Sequence, residues 1–315
     1  TLGAGFSTSM APTLVAKGTS PLAPARIESA IILGVKPLPP AAYRDLVRDA
    51  LKEDLGTLGD VTSRHFIPAQ ARLAGRIVSR QAGVVCGVDL AREVFKLAAP
   101  GSKVKVLLKD GAKVRPGQAV LEVSGGRGLL TAERTALNFL QRLSGVATLT
   151  AAYAAKTRGT RAKIYDTRKT LPGWRALDKY AVRCGGGMNH RMGLFDAVML
   201  KDNHWASGGD IAAGVRALRK RHPKMTLEIE ADDLGQVVRA LELGADVVLL
   251  DNMTRPALRK AIAWVRRTAP RTQIEVSGGV ELTSVRALAA LGPDRISVGR
   301  LTHSAPALDL GLDFA

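Results

Sequence analysis

The chain is short of cysteine and aromatic rings and has no long apolar run, and each shortage removes a class of protein. Its two cysteines, Cys86 and Cys184, lie far apart without metal-type spacing around either, so neither a disulfide framework nor a zinc site is expected. A reducing, cytoplasmic setting fits that usage. Cys184 borders a triple glycine, where a lone thiol reads as a small packed residue. Runs such as the VVLL of 247–250 fall far short of the roughly 18 apolar residues of a membrane span, so no transmembrane segment is expected. Aromatics make up 4% of the residues and are not interleaved with basic runs, which argues against the stacking platforms of single-strand nucleic-acid binders. Acids are the scarcer charge: 46 Lys and Arg against 28 Asp and Glu leave a net +18, which asks for an anionic partner. A nucleic acid is one candidate; a small phosphorylated or carboxylated substrate in a locally positive pocket is the other.

What is present is ordinary globular composition, 46% hydrophobic over 315 residues, enough for one large or two moderate domains. Residues 1–40 are rich in Pro, Ala, Ser and Thr, show no helix or strand period, and read as a mobile arm. They hold no apolar stretch with a cleavage site, so no secretory leader is expected there, while an organelle-targeting peptide stays open. From Ala41 the spacing of Tyr43, Leu46, Val47, Ala50 and Leu51 predicts an amphipathic helix that opens a first, mixed α and β domain. Strands are predicted at 73–79, 103–108 and 119–123, and a helix at 88–97. A stronger helix spans 131–143 with Thr131 as its N-cap, which puts Arg134 in the first turn, against the dipole, and suggests that Arg134 binds something.

After Gly145 candidate strands at 161–166, 195–201, 225–230, 245–251, 272–277 and 294–299 alternate with helical stretches. That pattern predicts a parallel sheet closed toward a barrel, whose active site lies at the carboxyl ends of the strands. Those ends carry, in order, Asp166, Arg168 and Lys169; Lys201, Asp202 and Asn203; Glu228 and Glu230; Asp251 and Asn252; Ser277, Gly278 and Gly279; and Gly299 and Arg300. Every strand body is apolar and every end polar or glycine, which scattered solvated loops do not produce. Period two sends Glu228 and Glu230 to one face, and Leu249 and Asp251 to the interior side of their strand. Buried carboxylates need a counter-charge, which either Lys201 or a divalent metal could supply. Mg²⁺ suits Glu230 and Asp251 because it takes oxygen ligands and keeps waters. Ser277–Gly279 and Gly299 are placed to seat a phosphate on backbone N–H groups, with His303 closing the seat. The stretch from Asp166 to His204 gathers Arg168, Lys169, His190, Arg191 and Lys201 around Gly185–Gly187, so an anion is expected there.

These residues resemble a known family. ERTALNFLQRLSGVAT at 133–148, DTRKT at 166–170, GGGMNHR at 185–191, LKDNH at 200–204, EIE at 228–230, LLDN at 249–252, SGG at 277–279 and VGRLTHS at 298–304 are similar, in order and spacing, to quinolinate phosphoribosyltransferases. The resemblance covers roughly 42–315 and leaves the arm outside. It implies an α/β sandwich domain over 41–145, rejoined by a tail at 303–315, and an open, incomplete TIM-like α/β barrel over 146–302. It implies a homodimer, with further assembly left open, in which Arg134 reaches the neighbouring subunit's active site. Thr167, Arg168, Lys169, His190, Arg191 and Lys201 would surround quinolinate, with Lys169, Lys201, Glu230 and Asp251 catalytic. Glu230 and Asp251 would face the ribose and Mg²⁺, and Ser277, Gly278, Gly279, Gly299 and His303 would take the 5-phosphate of phosphoribosyl pyrophosphate. Nucleic acid and membrane are not expected partners. The nearest rival is another phosphoribosyltransferase on the same scaffold.

Overall fold

The computed structural model describes residues 35–314, so the expected arm falls outside the described residues up to residue 34. The predicted amphipathic helix spans Arg44–Leu55 and buries Val47 and Leu51, one turn apart. A short helix, Val61–Phe66, follows, capped by the Asp60 carboxylate, which accepts from the Ser63 N–H at 2.8 Å.

The first sheet has four antiparallel strands in the order Leu310–Phe314, Leu73–Ser79, Ala119–Gly125 and Lys103–Val106. The end of the chain therefore supplies an edge strand to the first sheet, with Leu312 opposite Ile77. Helices Val88–Ala98 and Gly128–Lys156 pack against this sheet and each other. The second sheet has six strands in the order Lys163–Tyr165, Arg295–Ser297, Gln273–Ser277, Val247–Asp251, Leu227–Ala231 and Val198–Leu200, and every pairing is parallel. The edge strands Lys163–Tyr165 and Val198–Leu200 do not pair, so the α/β barrel is incomplete, as the family resemblance implies. A parallel bridge from Tyr165 to Met188 extends one edge and brings the loop after the triple glycine onto it.

Two expectations need correction. Thr131 is not an N-cap: the helix begins at Gly128, and the Thr131 hydroxyl donates instead to Asp60 Oδ2 at 2.7 Å. Arg134 therefore lies beyond the first turn, and the dipole argument for it fails. The helix, expected over 131–143, also runs unbroken for 29 residues to Lys156. Gly145 does not end it; a Cβ there would lie 2.1 Å from the Pro306 carbonyl oxygen, so the glycine lets the returning tail cross the helix in contact with its backbone.

The two cysteines, far apart in sequence, meet in space. Cys86, Cys184 and Asp110 offer ligand-type atoms within 4.8 Å of one another where the first domain meets helix Arg175–Cys184. The Tyr180 hydroxyl donates to Asp110 at 2.9 Å, both thiols are free, and burial pushes the Cys86 thiol up. Among the described residues no helix is long and apolar enough to cross a membrane.

Candidate active site

A cavity of about 590 Å³ opens at the carboxyl ends of the barrel strands. It gathers Thr167, Arg168, Lys169, His190, Arg191, Lys201, Glu230, Asp251, Ser277, Gly278, Gly279, Gly299 and His303 from segments far apart in sequence. Of the site residues expected from sequence, Arg134 alone is elsewhere, exposed on the long helix.

The cavity has two electrostatic poles. At one, Arg168, Lys169 and Arg191 form no ion pair among the described residues, although all three line the cavity. Burial, and then the neighbouring Arg168, lower the Arg191 pKa, and the charges of Glu228 and Asp196 offset this only in part. The Arg191 guanidinium is held by the Ala197 carbonyl oxygen at 3.1 Å. At the other pole, Glu230 and Asp251 project from adjacent strands. The Lys201 ammonium pairs with Glu230 Oε2, so the lysine supplies a counter-charge of the kind expected. Asp251 Oδ2 accepts from the Asn252 side-chain amide at 2.6 Å.

Asn252 is the one described non-glycine residue with positive φ, 51°, and Gly278 beside it has φ 91°. A Cβ on Gly278 would fall 2.2 Å from Asn252 Oδ1, so the two tight turns can exist side by side only with glycine at 278. Gly279, φ 55°, continues the left-handed backbone at the end of that strand.

His190, expected beside the anion, faces two buried acids. Its Nε2 lies 3.0 Å from Glu228 Oε2 and 3.5 Å from Glu275 Oε1, at ion-pair distance but without the alignment of a hydrogen bond. Burial opposes charge on the imidazole, but Glu228 and Glu275 outweigh it and push the pKa up to about 10. Against this, the Arg191 backbone N–H donates to His190 Nδ1 at 2.7 Å, which leaves the ring proton on Nε2. Both features are met if the extra proton belongs to the triad as a set, since burial and Glu275 also raise the Glu228 pKa. Glu275 is the residue that reading the strand ends passes over. It is fully buried in the strand body, yet Gln273, Glu275 and Ser277 share a face, so period two was the available signal.

His190, Glu228 and Glu275 offer ligand-type atoms within 4.8 Å of one another, and Glu230 and Asp251 are the pair that could hold a metal in the open cavity. Hard carboxylate oxygens suit Mg²⁺, and each group has one oxygen engaged by Lys201 or Asn252, which leaves the other for a metal or water.

Comparison with known proteins agrees with this architecture. The sequence matches the family profiles "Quinolinate phosphoribosyl transferase, N-terminal domain" over residues 60–144 and "C-terminal domain" over 146–313. A nicotinate-nucleotide pyrophosphorylase [carboxylating] of Mycobacterium leprae is 46% identical over 279 residues, covering 86% of this chain and 97% of that protein. A probable one of Bacillus subtilis is 38% identical over 272 residues, covering 86% and 92%. The solved structure of the nicotinate-nucleotide pyrophosphorylase from Francisella tularensis superposes with a TM-score of 0.82 at 37% identity, covering 89% of this chain and 99% of that one.

Proposed function

The chain belongs to the quinolinate phosphoribosyltransferase family, and from that premise we propose how its cavity carries out the reaction. The protein is a phosphoribosyltransferase of de novo NAD biosynthesis: it converts quinolinate and phosphoribosyl pyrophosphate into nicotinate mononucleotide, pyrophosphate and CO₂.

The observation that carries the assignment of roles is the pole at Arg168, Lys169 and Arg191, three cations that line the cavity and form no ion pair among the described residues. Quinolinate brings two adjacent carboxylates, and arginine forks bind carboxylates through paired N–H groups. Thr167, His190 and Lys201 complete that pocket. Held there, the pyridine nitrogen attacks the ribose C1 as the bond to pyrophosphate breaks. Glu230 and Asp251 favour the positive charge that develops on the ribose, and Lys169 and Lys201 the negative charge on its partners. Alkylation leaves the ring cationic. The carboxylate next to the nitrogen can then depart as CO₂, its bonding electrons staying on the ring carbon, and a proton takes its place. Ser277, Gly278, Gly279 and Gly299, with His303, form the seat for the 5-phosphate. Glu230 and Asp251, directly or through water, would hold Mg²⁺, which when bound offsets charge on the pyrophosphate.

We infer a homodimer. Phe66, 80% exposed, and Leu58 and Val61 leave an apolar surface beside the long helix that carries Arg134. Leu194 and Phe195, 77% exposed, leave another close in sequence to Arg191. Packing one against the other in a partner subunit would cover both and deliver Arg134 to the cationic pole. Two free, buried thiols support a cytoplasmic setting.

The test is to supply quinolinate, phosphoribosyl pyrophosphate and Mg²⁺ and to follow nicotinate mononucleotide and CO₂ together. Both should appear in equal amounts and both should stop on chelation of the metal. Turnover with another base but not with quinolinate would assign the cavity to a relative on the same scaffold.

A further inference from the structure

Two adjacent residues of helix Arg175–Cys184, Asp178 and Lys179, are buried to 0% and 1% exposure, although neither lines the cavity. Lys179 pairs with Asp166, also fully buried, at the end of the first barrel strand. Each end of His190's backbone is tied to this pair. The Asp166 carboxylate accepts from the His190 N–H at 2.8 Å, and the Lys179 ammonium donates to the His190 carbonyl at 3.0 Å. Asn189 completes the clasp: its side-chain amide donates to Asp166 Oδ2 and, at 2.8 Å, to the Lys179 carbonyl.

Asp178 does the same for the other loop. Its Oδ2 accepts from the Leu171 N–H at 3.1 Å, just beyond Arg168 and Lys169, and its Oδ1 accepts from Arg142 at 3.2 Å. Arg142 also donates to the Thr302 carbonyl, and the Thr302 hydroxyl donates to the Lys169 carbonyl at 2.7 Å. The two loops that carry the unpaired cations are thus fastened by consecutive side chains of one helix.

We propose that Asp166 and Lys179 are positioning residues for quinolinate: by clamping both ends of the His190 peptide they set where His190 and Arg191 meet the substrate carboxylates. Stability alone is a poor reason for such a pair. Replacing a buried ion pair by apolar side chains is often neutral or stabilising, because desolvation offsets the attraction. Here burial raises the Asp166 pKa and lowers that of Lys179 despite their contact, so desolvation is the larger effect on both. What the pair supplies is geometry. Lys179 offers one donor and Asp166 one acceptor to the His190 backbone, and the second Asp166 oxygen holds the Asn189 side chain, all fixed by packing.

The inference rests on the reading that this pole binds quinolinate, so three variants are titrated side by side: Asp166→Asn, Lys179→Met and Arg191→Ala, each with quinolinate and with phosphoribosyl pyrophosphate plus Mg²⁺. Misplacing a binding group by about 1 Å costs on the order of 10- to 100-fold, so Asp166→Asn and Lys179→Met should weaken quinolinate by that factor. Phosphoribosyl pyrophosphate, seated on other strands, should bind within about twofold of wild type on the same physical argument. Unchanged quinolinate affinity in both variants, or an equal loss for both substrates, overturns the positioning role; the second result would mark the pair as general scaffolding. Arg191→Ala separates the premises: if it leaves quinolinate affinity intact, the site assignment fails, whereas a loss there with none in the other two sinks only the clamp.

Discussion

His190 faces two buried acids, and that placement makes stability depend on pH in a definite direction. The triad binds a proton more tightly when folded, with a pKa pushed up to about 10 from the ordinary 6.5 of histidine. A raised folded pKa stabilises fully below the unfolded value, and the contribution is lost as pH rises through the folded one. Urea unfolding of wild type should therefore show a fall in stability between pH 7 and pH 10.5, and His190→Gln should show a smaller one. An equal slope in the two proteins would mean that the triad does not hold the proton. Sequence foreshadowed part of this, since alternation sends Glu228 and Glu230 to one face. It could not show that Glu228 serves His190 while Glu230 serves Lys201, because that choice depends on which loop folds over which strand end.

Glycines divide helix interiors by what lies opposite them. Gly145, mid-helix, has the Pro306 carbonyl within 2.1 Å of its missing Cβ, whereas Gly214, inside Ile211–Arg221, has nothing within 4 Å. Gly145→Ala should destabilise by about 1–3 kcal/mol, as overpacking does, by pushing the tail off the helix. Gly214→Ala should stabilise by about 0.5–1 kcal/mol through reduced chain entropy. Thermal unfolding of the two variants checks both signs. From sequence alone the two glycines look alike, and Gly145 reads as a stop because the segment that crosses it lies far along the chain, at 306–307.

The exposed apolar surfaces around Phe66 and Phe195, and Arg134 away from the cavity, carry the prediction at the scale of the assembly. Arg134→Ala and Arg191→Ala should each lose activity, since truncating one partner of a desolvated charge pair costs about 2–5 kcal/mol. Mixed and allowed to exchange subunits, they should regain about a quarter of wild-type activity, because in a twofold dimer the hybrid rebuilds one intact site. No recovery in mixtures that demonstrably exchange would place Arg134 outside the neighbouring site.

Alternation, turn chemistry, the run of polar strand ends and the cations around Gly185–Gly187 were enough to read the β-α repeat and most of the polar residues that line the cavity, with Thr167 added by the family resemblance, because each depends on short-range order along the chain. Helix limits at Gly128 and Lys156, the meeting of Cys86 with Cys184, the burial of Glu275 and the clamp of Asp166 and Lys179 on His190 do not. These follow from contacts between segments distant in sequence, whose backbone polar groups and desolvated charges find partners only when the two sheets and the long helix between them have packed.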